Sequence, residues 1–421
     1  MAFRRAGASW LRNAHKCLPK EQRRWLNLHE YQSQNLLREY NVPVPKGGAA
    51  KTAEEARAIV EKLGGSAIIK SQVLRGGYAK ADFDSGLKGG VHVVRSPREG
   101  EEVTSKMLGH KLRNTSAIDG DDGLTVRNVY ISELAELSDE WYLAITIDRE
   151  TYSPSLVVSK AGGRSIEAIT RDHPDTLIRF PISISQGITL DHLADVSHAL
   201  GVSPAETIDL EDILLGLWRI FLDREATHLE VNPLARLPDG SLRCVSTSFT
   251  FDDAAAKRQP ELFALRDVEH EVADEVEAEQ HGLVYVRMEG DIGNVVNGAG
   301  LAMATNDAIG LYGGSSANFL DGGGQATKET MLKAFAIIMR DPRVKAILVN
   351  IYGGITNCAM IAESIIGAAT DLGPLKVPVV VRLQGTNSAA GLKLLEEANL
   401  GLEVEADFGT AAKKAVELAK R

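Results

Sequence analysis

The chain has 421 residues, a net charge of −10, 44% hydrophobic residues and 39 glycines. This length predicts two or three domains, and the composition favours a globular α/β enzyme. The acidic charge, without a basic stripe in the body of the chain, argues against a nucleic-acid binder, and no apolar run reaches membrane-spanning length. The three cysteines, Cys17, Cys244 and Cys358, form no CxxC pair and indicate neither a zinc site nor a disulfide framework.

The first 26 residues differ from the rest of the chain. They contain seven basic residues and a single acid, Glu21. A basic, acid-poor segment with scattered Trp10, Leu11 and Leu18 is typical of a mitochondrial transit peptide, which the sequence predicts for residues 1–26. A disordered basic tail is the alternative, and neither would contribute to the fold.

Two amphipathic helices and a strand follow. The helices are expected at "LHEYQSQNLLREY", which "NVPVP" ends, and at "TAEEARAIVEKLGG". The next segment, "AIIKSQVL", predicts an apolar strand that contains Lys70. A lysine inside an apolar strand needs a partner, which is either a nucleotide phosphate or a core acid.

A glycine-rich stretch, "QVLRGGYAKADFDSGLKGGV", begins at the end of that strand. Glycines after a strand are typical of phosphate-binding loops, but the signal is weak by itself. The stretch is neither a Walker A loop nor a GxGxxG motif, and Tyr78 stands where a cation would be useful. It is therefore a working nucleotide loop, an altered one or a simple connection.

Further strands carry more polar residues. "LTVRNVYISEL" and "EWYLAITIDRE" are expected to be neighbouring strands, with Glu133 and Glu140 near their ends. The apolar stripe of "LEDILLGLWRIFLDREA" predicts a helix, and "THLEVNPLARLPDGSLRCVSTSF" predicts a hairpin that turns at residues 238–240.

The hairpin is a candidate metal site. Glu230 and Asn232 are two residues apart on a strand and share a face. A carboxylate and an amide oxygen on one face suit Mg²⁺ that is held together with substrate phosphates, and the register places Ser246 across from Asn232. A polar face open to water is the alternative.

A charge-rich segment, predicted as a linker over residues 256–280, separates this part from a second rhythm of strand, glycine loop and helix. The repeating segments are "LVYVRMEG", "VKAILVNIYGG", "VPVVVRLQG" and "LEVEADF", each followed by a helical pattern. Such alternation indicates a doubly wound parallel sheet. "IYGGITNC" is its best anion site, because Gly353 and Gly354 stand between a strand end and a helix N-terminus; a plain tight turn is the alternative.

The chain resembles the β subunits of succinate–CoA ligase (succinyl-CoA synthetase) from about residue 27 to its end. The resemblance is carried by the runs "LNLHEYQSQNLL", "FDSGLKGGVHVV", "LEVNPLA", "FDDAAAKRQPELFAL", "GDIGNVVNGAGLAMATNDAI", "ANFLDGGGQATKE", "VKAILVNIYGGITNCAMIA" and "VPVVVRLQGTN". It implies an ATP-grasp domain over residues 27–255 and a flavodoxin-like CoA-ligase domain over residues 281–421. With the basic leader, it resembles the mitochondrial form, in the matrix.

The resemblance also implies the reaction. Succinate, CoA and ATP or GTP are interconverted with succinyl-CoA, the nucleoside diphosphate and phosphate, as in the tricarboxylic acid cycle. A succinyl phosphate forms, and a histidine of a partner α subunit, which binds CoA, relays the phosphoryl group in a heterodimer. The β subunit is expected to hold the nucleotide and Mg²⁺.

Site residues follow from the motif positions of the family. The nucleotide positions are Lys70, Gly77, Tyr78, Ala79, Glu133 and Glu140. Asn232 and Ser246 stand at metal positions, with Glu230 beside them as catalytic support facing the phosphate. The substrate positions at the second domain's helix N-terminus are Asn297, Gly354, Ile355 and Thr356.

The chain departs from the family at the nucleotide site. The family loop GGRGKG is "GGYAKA" here, so that Tyr78 replaces an arginine and Ala79 and Ala81 replace glycines. Tyrosine cannot replace a guanidinium as a phosphate partner, and serine at 246, where the family has aspartate, is a poorer Mg²⁺ ligand. Three hypotheses result: a catalytic β subunit with altered nucleotide handling, a catalytically degraded paralogue with a structural or regulatory role, and an ATP-grasp ligase that acts without an α subunit.

Overall fold

The structure is a computed structural model that describes residues 25–74, 80–113, 123–163, 166–172, 176–323, 327–371 and 375–421. The chain divides into two compact units, with the boundary between His270 and Glu271. This boundary falls inside the segment 256–280. The precise domain bounds given above stay a prediction.

The first unit ends at His270 and contains two layered α/β parts. Its strands are β1 Trp25–Asn27, β2 Gly47–Ala50, β3 Ala67–Ser71, β4 Asp82–Phe83, β5 Val91–Val94, β6 Lys111–Arg113, β7 Leu124–Thr125, β8 Val129–Glu133, β9 Asp139–Asp148, β10 Ser153–Ser159, β11 Ile178–Pro181, β12 Ala226–Arg236, β13 Leu242–Cys244 and β14 Thr247–Asp252. Its α-helices are α1 Glu30–Glu39, α2 Ala53–Lys62, α3 Pro97–Met107, α4 Ile166–Asp172, α5 Leu190–Leu200, α6 Thr207–Asp223 and α7 Pro260–Phe263.

The larger sheet of this unit has the order β1-β14-β12-β9-β10-β11, and β13 pairs with β12. Helix α6 packs against it because Leu210, Ile213, Leu214 and Leu217 recur on one helical face and are fully buried. The smaller sheet has the order β2-β8-β3-β5 and shares a core with α2 and α3. A third, three-stranded sheet has the order β4-β6-β7. The same unit thus contains both β3, from the four-stranded sheet, and β12, from the larger sheet, and both strands carry polar residues.

One sequence prediction about these strands is wrong. The segments around Glu133 and Glu140 are not neighbouring strands, because β8 pairs with β2 and β3 in the smaller sheet whereas β9 pairs with β10 and β12 in the larger one. The predicted hairpin is confirmed: β12 and β13 pair antiparallel, and the Leu237 amide donates to the Ser241 carbonyl across the turn. The sequence pattern predicted both strands but contained no information on which strands pair with them.

The second unit, residues 271–421, contains a parallel sheet. Its strands are β15 Val284–Arg287, β16 Ile292–Val296, β17 Asn318–Asp321, β18 Ala346–Gly353, β19 Val379–Gly385 and β20 Glu403–Val404. Its α-helices are α8 Ala273–Gln280, α9 Ala299–Leu311, α10 Lys328–Arg340, α11 Cys358–Asp371, α12 Ser388–Ala398 and α13 Phe408–Ala419.

The sheet order β16-β18-β19-β20 is parallel throughout, and a parallel bridge from Ile292 to Ser316 brings the segment before β17 to the other side of β16. Helices cover both faces: Ala346 and Leu348 of β18 pack with α9 and α13, whereas Ile347 and Val349 pack with α10, α11 and α12. The predicted flavodoxin-like, doubly wound fold is therefore confirmed, with its switch point between β16 and β18.

The first strand of that sheet was misassigned from the sequence. "LVYVRMEG" forms β15, which pairs antiparallel with β17, and the strand beside β18 is Ile292–Val296, inside the segment interpreted as a glycine loop. The glycine at 293 hid this strand, although a Cβ there would lie 2.4 Å from the Ile338 side chain and the close packing explains the glycine. Within the described residues, no helix combines the length and the apolar character needed to cross a membrane.

Candidate functional site

A cleft of about 350 Å³ opens in the first unit, lined by residues from β1, the start of α1, the end of β3, β12 and β14. The lining residues are Asn27, Leu28, Glu30, Ser71, Gln72, Val73, Leu74, Glu230, Asn232, Ser246, Thr247 and Ser248. Three predicted site residues, Glu230, Asn232 and Ser246, are thus brought together. The cleft adjoins the end of β3, where the glycine-rich stretch begins.

Lys70 has a buried acid as its partner. Its ammonium Nζ lies 2.6 Å from Glu30 Oε1 and 3.4 Å from the carbonyl oxygen of Val245, and both ionic side chains are less than 10% exposed. Of the two partners considered from the sequence, the structure contains the core acid. Because Glu30 itself lines the cleft, the Lys70 charge lies beside it and not in a remote core.

Glu230 is the central carboxylate of the cleft. Tyr142 Oη donates to its Oε2 over 3.3 Å, His228 Nε2 lies 3.4 Å from the same oxygen, and Asn232 Nδ2 donates to Oε1 over 3.4 Å. Burial by itself would raise the pKa of Glu230, but the contact with His228 and the hydrogen bonds from Asn232 and Tyr142 outweigh burial and hold the pKa below its usual value. The side chain is therefore a carboxylate at neutral pH.

Asn232 and Ser246 complete an oxygen-rich face. The Asn232 amide N–H donates to the Ser246 carbonyl over 2.9 Å, in agreement with the register expected from the hairpin. Asn232 Oδ1 accepts from the Gly163 amide over 2.8 Å, and an amide oxygen is a ligand type that Mg²⁺ accepts. A carboxylate, an amide oxygen and a hydroxyl are donors that Mg²⁺ prefers, so the residues present fit this ion.

Glu133 and Glu140 do not line the cleft in the described part of the chain. Glu133 Oε1 accepts from the backbone amide of Lys46, the residue just before β2. The Glu140 carboxylate lies beside Gly163, where an added Cβ would be 2.4 Å from Glu140 Oε2. Glu140 thus reaches the site indirectly, through the same glycine that donates to Asn232. The nucleotide roles of both acids stay predictions.

The altered loop is only partly described. Gly77, Tyr78 and Ala79 lie outside the described residues. Ala81 is buried beside Phe83 and does not belong to the described non-glycine residues with positive φ, so alanine carries no backbone strain at this position.

In the second unit, the predicted substrate residues meet at the switch point of the sheet. Asn297, just after β16, donates through Nδ2 to the Tyr352 carbonyl over 2.9 Å and to Thr356 Oγ1 over 3.2 Å, and its Oδ1 accepts from the Tyr352 amide. Thr356 is buried, whereas Gly354 and Ile355 are exposed. Asn297 therefore holds the loop that presents residues 354 and 355.

The helix that follows this loop is less open than the sequence suggested. The Cys358 amide donates to the Thr386 carbonyl over 3.0 Å, and the Ala359 amide donates to Asn357 Oδ1 over 2.9 Å. These two N–H groups at the start of α11 are already satisfied. An anion at this position would bind to the exposed backbone of residues 354–355 and be attracted by the positive end of the α11 dipole.

Sequence reasoning missed three residues that shape the cleft. Glu30 pairs with Lys70, and Tyr142 and His228 contact Glu230. A signal existed for His228 alone, because it lies two residues before Glu230 on the same strand and therefore shares its face. Glu30 and Tyr142 come from distant segments, and only the tertiary fold brings them to the site.

Two domain families match the chain in succession: an ATP-grasp domain over residues 27–236 and a CoA-ligase domain over residues 295–419. Among solved structures, an ATP citrate lyase from Methanothrix soehngenii covers 94% of this chain and 99% of its own, with a TM-score of 0.64 and 20% identity. That likeness supports the fold. The fold and the domain families define the class as an acid–thiol ligase with an ATP-grasp domain.

The relatives narrow this class. The ADP-forming succinate–CoA ligase β subunit of Neurospora crassa mitochondria is 43% identical over 95% of this chain and 89% of its own. The hydrogenosomal ADP-forming subunit of Neocallimastix frontalis is 45% identical over 94% and 91%. A GDP-forming mitochondrial subunit of Dictyostelium discoideum is 40% identical over 96% and 95%. The chain belongs to the family of succinate–CoA ligase β subunits.

Nothing in these findings favours the degraded paralogue. The described cleft keeps an ionised Glu230, Asn232 and the Lys70 cation beside it. The departures at 78 and 79 lie outside the described residues, and the departure at 246 leaves an oxygen donor in place. The catalytic hypothesis is the one that the site and the relatives support.

Proposed function

We propose that this chain is the nucleotide-binding partner in the reversible formation of succinyl-CoA from succinate, CoA and a nucleoside triphosphate. The proposal rests on the sequence identity of 40–45% to succinate–CoA ligase β subunits over nearly the full chain. It is supported by the cleft, which brings Glu230, Asn232 and Ser246 together. Relatives of both ADP-forming and GDP-forming kinds fall in this range, so ATP and GTP are both candidate substrates.

In the first unit, the nucleotide phosphates and Mg²⁺ occupy the cleft. Asn232 Oδ1 and the Glu230 carboxylate would hold the metal, with the Ser246 hydroxyl as a weaker ligand. In that place the ion would supply positive charge that offsets the negative charge of the phosphoryl group. Lys70 turns from Glu30 towards the phosphates or bridges both, because its ammonium has three donors on a long side chain.

In the second unit, the loop held by Asn297 receives the phosphoryl group on a histidine of an α subunit. That anion is stabilised by the exposed backbone at Gly354 and Ile355 and by the positive field at the N-terminus of α11. The phosphoryl group then passes to succinate, and CoA attacks the resulting succinyl phosphate and releases phosphate. The α subunit is a proposed partner in a heterodimer, and it is expected to bind CoA.

The proposed location is the mitochondrial matrix. Two observations support it: the basic, acid-poor leader of residues 1–26 and the mitochondrial names of several relatives. The structure describes none of residues 1–24. Mass spectrometry of the N-terminus of the protein from isolated mitochondria tests the proposal, because cleavage near residue 26 is expected and an intact Met1 would contradict it.

The function is tested by turnover. Residues 27–421 are co-expressed with the α subunit of the same organism, and succinyl-CoA is followed with ATP and with GTP at saturating Mg²⁺, succinate and CoA. Turnover with one nucleotide identifies a working ligase subunit and its nucleotide. A complex that assembles but is inactive, and that gains activity only with Tyr78→Arg, Ala79→Gly and Ser246→Asp together, would overturn the proposal in favour of the degraded paralogue.

A further inference from the structure

A second group of metal-binding side chains lies outside the cleft, at the end of the first unit. His29, Asp267 and His270 form this group, which is called the His–Asp–His cluster below. His29 Nε2 lies 2.8 Å and His270 Nδ1 lies 3.3 Å from the same oxygen, Asp267 Oδ2. The two imidazole rings are 5.4 Å apart and nearly perpendicular. The fold thus brings two rings, one from the start and one from the end of the unit's sequence, to one carboxylate oxygen.

In the neutral form of His270, its hydrogen bond to Thr125 leaves no hydrogen for its contact with Asp267. His270 Nε2 lies 3.0 Å from the Thr125 carbonyl oxygen, which can only accept, so Nε2 carries the hydrogen. In the neutral ring, Nδ1 is then a lone pair, and it faces a carboxylate oxygen. Nδ1 has no hydrogen-bond partner, and the side chain is only 4% exposed. Two lone pairs in this contact repel each other, and a cation bound by both atoms would remove that repulsion.

The surroundings favour a metal ion as that cation. A metal-ligating histidine typically donates its other ring N–H to a backbone carbonyl, which is what His270 does with Thr125. His29 is 98% buried at its side chain, and its Nε2 faces the same carboxylate oxygen as His270. Asp267 is 22% exposed at its side chain, which leaves a path to solvent.

We propose that the His–Asp–His cluster binds a transition-metal ion of the Zn²⁺ class, through His29 Nε2, His270 Nδ1 and Asp267 Oδ2, with water as the fourth ligand. In a tetrahedral Zn²⁺ site, bonds of about 2.0–2.1 Å place neighbouring ligand atoms roughly 3.3 Å apart. The three ligand atoms lie within 4.8 Å of one another, so small ring rotations bring them to this spacing. Two imidazoles select Zn²⁺ over Mg²⁺, which prefers oxygen ligands.

The ion would act as a structural link. His29 immediately precedes α1, and Asp267 and His270 lie on the last segment of the unit before its boundary. The same two segments already meet where Gln32 Nε2 donates to the Leu265 carbonyl over 3.0 Å. A bound ion would fix the start of α1, and with it Glu30 beside Lys70, against the end of the unit.

Metal content tests this inference independently of turnover. The full chain is stripped with a chelator, loaded with Zn²⁺ and desalted, and its zinc is measured by mass spectrometry. About one equivalent is expected, and His270→Gln should weaken Zn²⁺ binding at least about tenfold. His110→Gln is the matched control, because His110 pairs with Asp84 on the surface of the same unit and should leave Zn²⁺ binding unchanged.

Loading with Co²⁺ provides a second readout on the wild-type chain. Intense visible absorption from four-coordinate Co²⁺, displaced by Zn²⁺, is expected, and this holds even if His270→Gln folds poorly. Wild-type protein that retains less than about 0.2 equivalents of zinc, or unchanged binding in folded His270→Gln, would overturn the proposal.

Discussion

Lys70 and Glu30 form a buried ion pair, with 2.6 Å between Nζ and Oε1, at the edge of the cleft that is proposed to bind the nucleotide. The pair has two consequences. It links the start of α1 to β3, and removal of either charge would leave the other buried without its opposite charge. It also keeps a cation beside the cleft, ready to contact a phosphate group.

Substitution separates these two roles. Lys70→Met should weaken nucleotide binding roughly 10- to 100-fold, because a charge-assisted hydrogen bond to phosphate is lost. It should also lower the free energy of unfolding by about 3–5 kcal/mol, because the buried Glu30 carboxylate loses the Lys70 charge. Nucleotide affinity is measured by calorimetry and stability by urea unfolding.

The double variant Glu30→Gln, Lys70→Met is the control for that experiment. It should recover most of the lost stability, since no unpaired charge remains, yet stay as weak in nucleotide binding as the single variant. If nucleotide affinity returns together with stability, Lys70 has a structural role alone.

Gly163 connects two predicted site residues, because its amide donates to Asn232 Oδ1 and its Cα lies against the Glu140 carboxylate. Its φ of +70° also favours glycine. Gly163→Ala should displace Glu140 and the Asn232 amide, and weaken Mg²⁺-nucleotide binding about tenfold or more.

The matched control is Gly86→Ala. Gly86 has a similar φ of +83°, but an added Cβ would have no neighbour within 4 Å. Both variants share the backbone strain, so a loss of affinity in Gly163→Ala alone reports on the site. Equal losses in the two variants would mean that Gly163 matters only through strain.

The sequence predicted the elements of this chain better than their arrangement. The hairpin of β12 and β13 could be recognised because its turn residues and the two-residue period of Glu230 and Asn232 are local features. The assignment of Glu133 and Glu140 to neighbouring strands failed because sheet pairing depends on distant segments. Lys70 shows the limit most clearly: its need for a partner was evident, but Glu30, which lies 40 residues away, was not.

Ser246→Asp tests whether the metal face is complete. A carboxylate at 246 should lower the Mg²⁺ concentration for half-maximal activity by about tenfold, because ligand charge raises cation affinity. Turnover at saturating Mg²⁺ should change by less than about tenfold, since Glu230 and Asn232 already supply ligands. Steady-state assays over a range of Mg²⁺ concentrations measure both quantities.

Ser248→Asp is the comparison for this variant. Ser248 lines the same cleft on the next same-face position of β14, directly opposite Glu230. It should raise Mg²⁺ affinity less than Ser246→Asp, because position 246 lies against Asn232. A turnover gain of several orders of magnitude in Ser246→Asp would instead show that serine disables the wild-type site.

The ionisation of Glu230 predicts a pH effect. Its pKa in the folded chain is lowered, so its contribution to stability is present above the pKa of the unfolded chain and is lost as pH falls through the folded value. Tyr142→Phe removes one hydrogen bond to the carboxylate and raises that folded pKa. The contribution shrinks, and the acid-unfolding midpoint should move to higher pH.

Circular dichroism during acid titration measures this midpoint. The loss at neutral pH should be small, at most about 1 kcal/mol, because the hydrogen bond of 3.3 Å is long. Tyr152→Phe is the control, since Tyr152 is 88% exposed and should leave the midpoint unchanged. A midpoint that moves to lower pH in Tyr142→Phe would contradict the role of this hydrogen bond.

Asn297 should control the second half of the reaction alone. Asn297→Ala removes the hydrogen bonds to Tyr352 and Thr356 that hold the loop of residues 354–355. Succinyl-CoA formation should fall about 10- to 100-fold, because a misplaced loop loses the alignment of the phosphoryl anion, whereas nucleotide binding in the first unit should stay unchanged. Single-turnover assays of the complex with the α subunit separate the two steps.

Asn306→Ala is the matched control for that loop. It breaks the hydrogen bond from Asn294 Nδ2 in the same unit and leaves the contacts of Asn297 in place, so it should affect stability more than turnover. If both variants slow succinyl-CoA formation equally, the effect arises from general loosening of the second unit. If Asn297→Ala weakens nucleotide binding as well, the proposed division of labour between the two units is wrong.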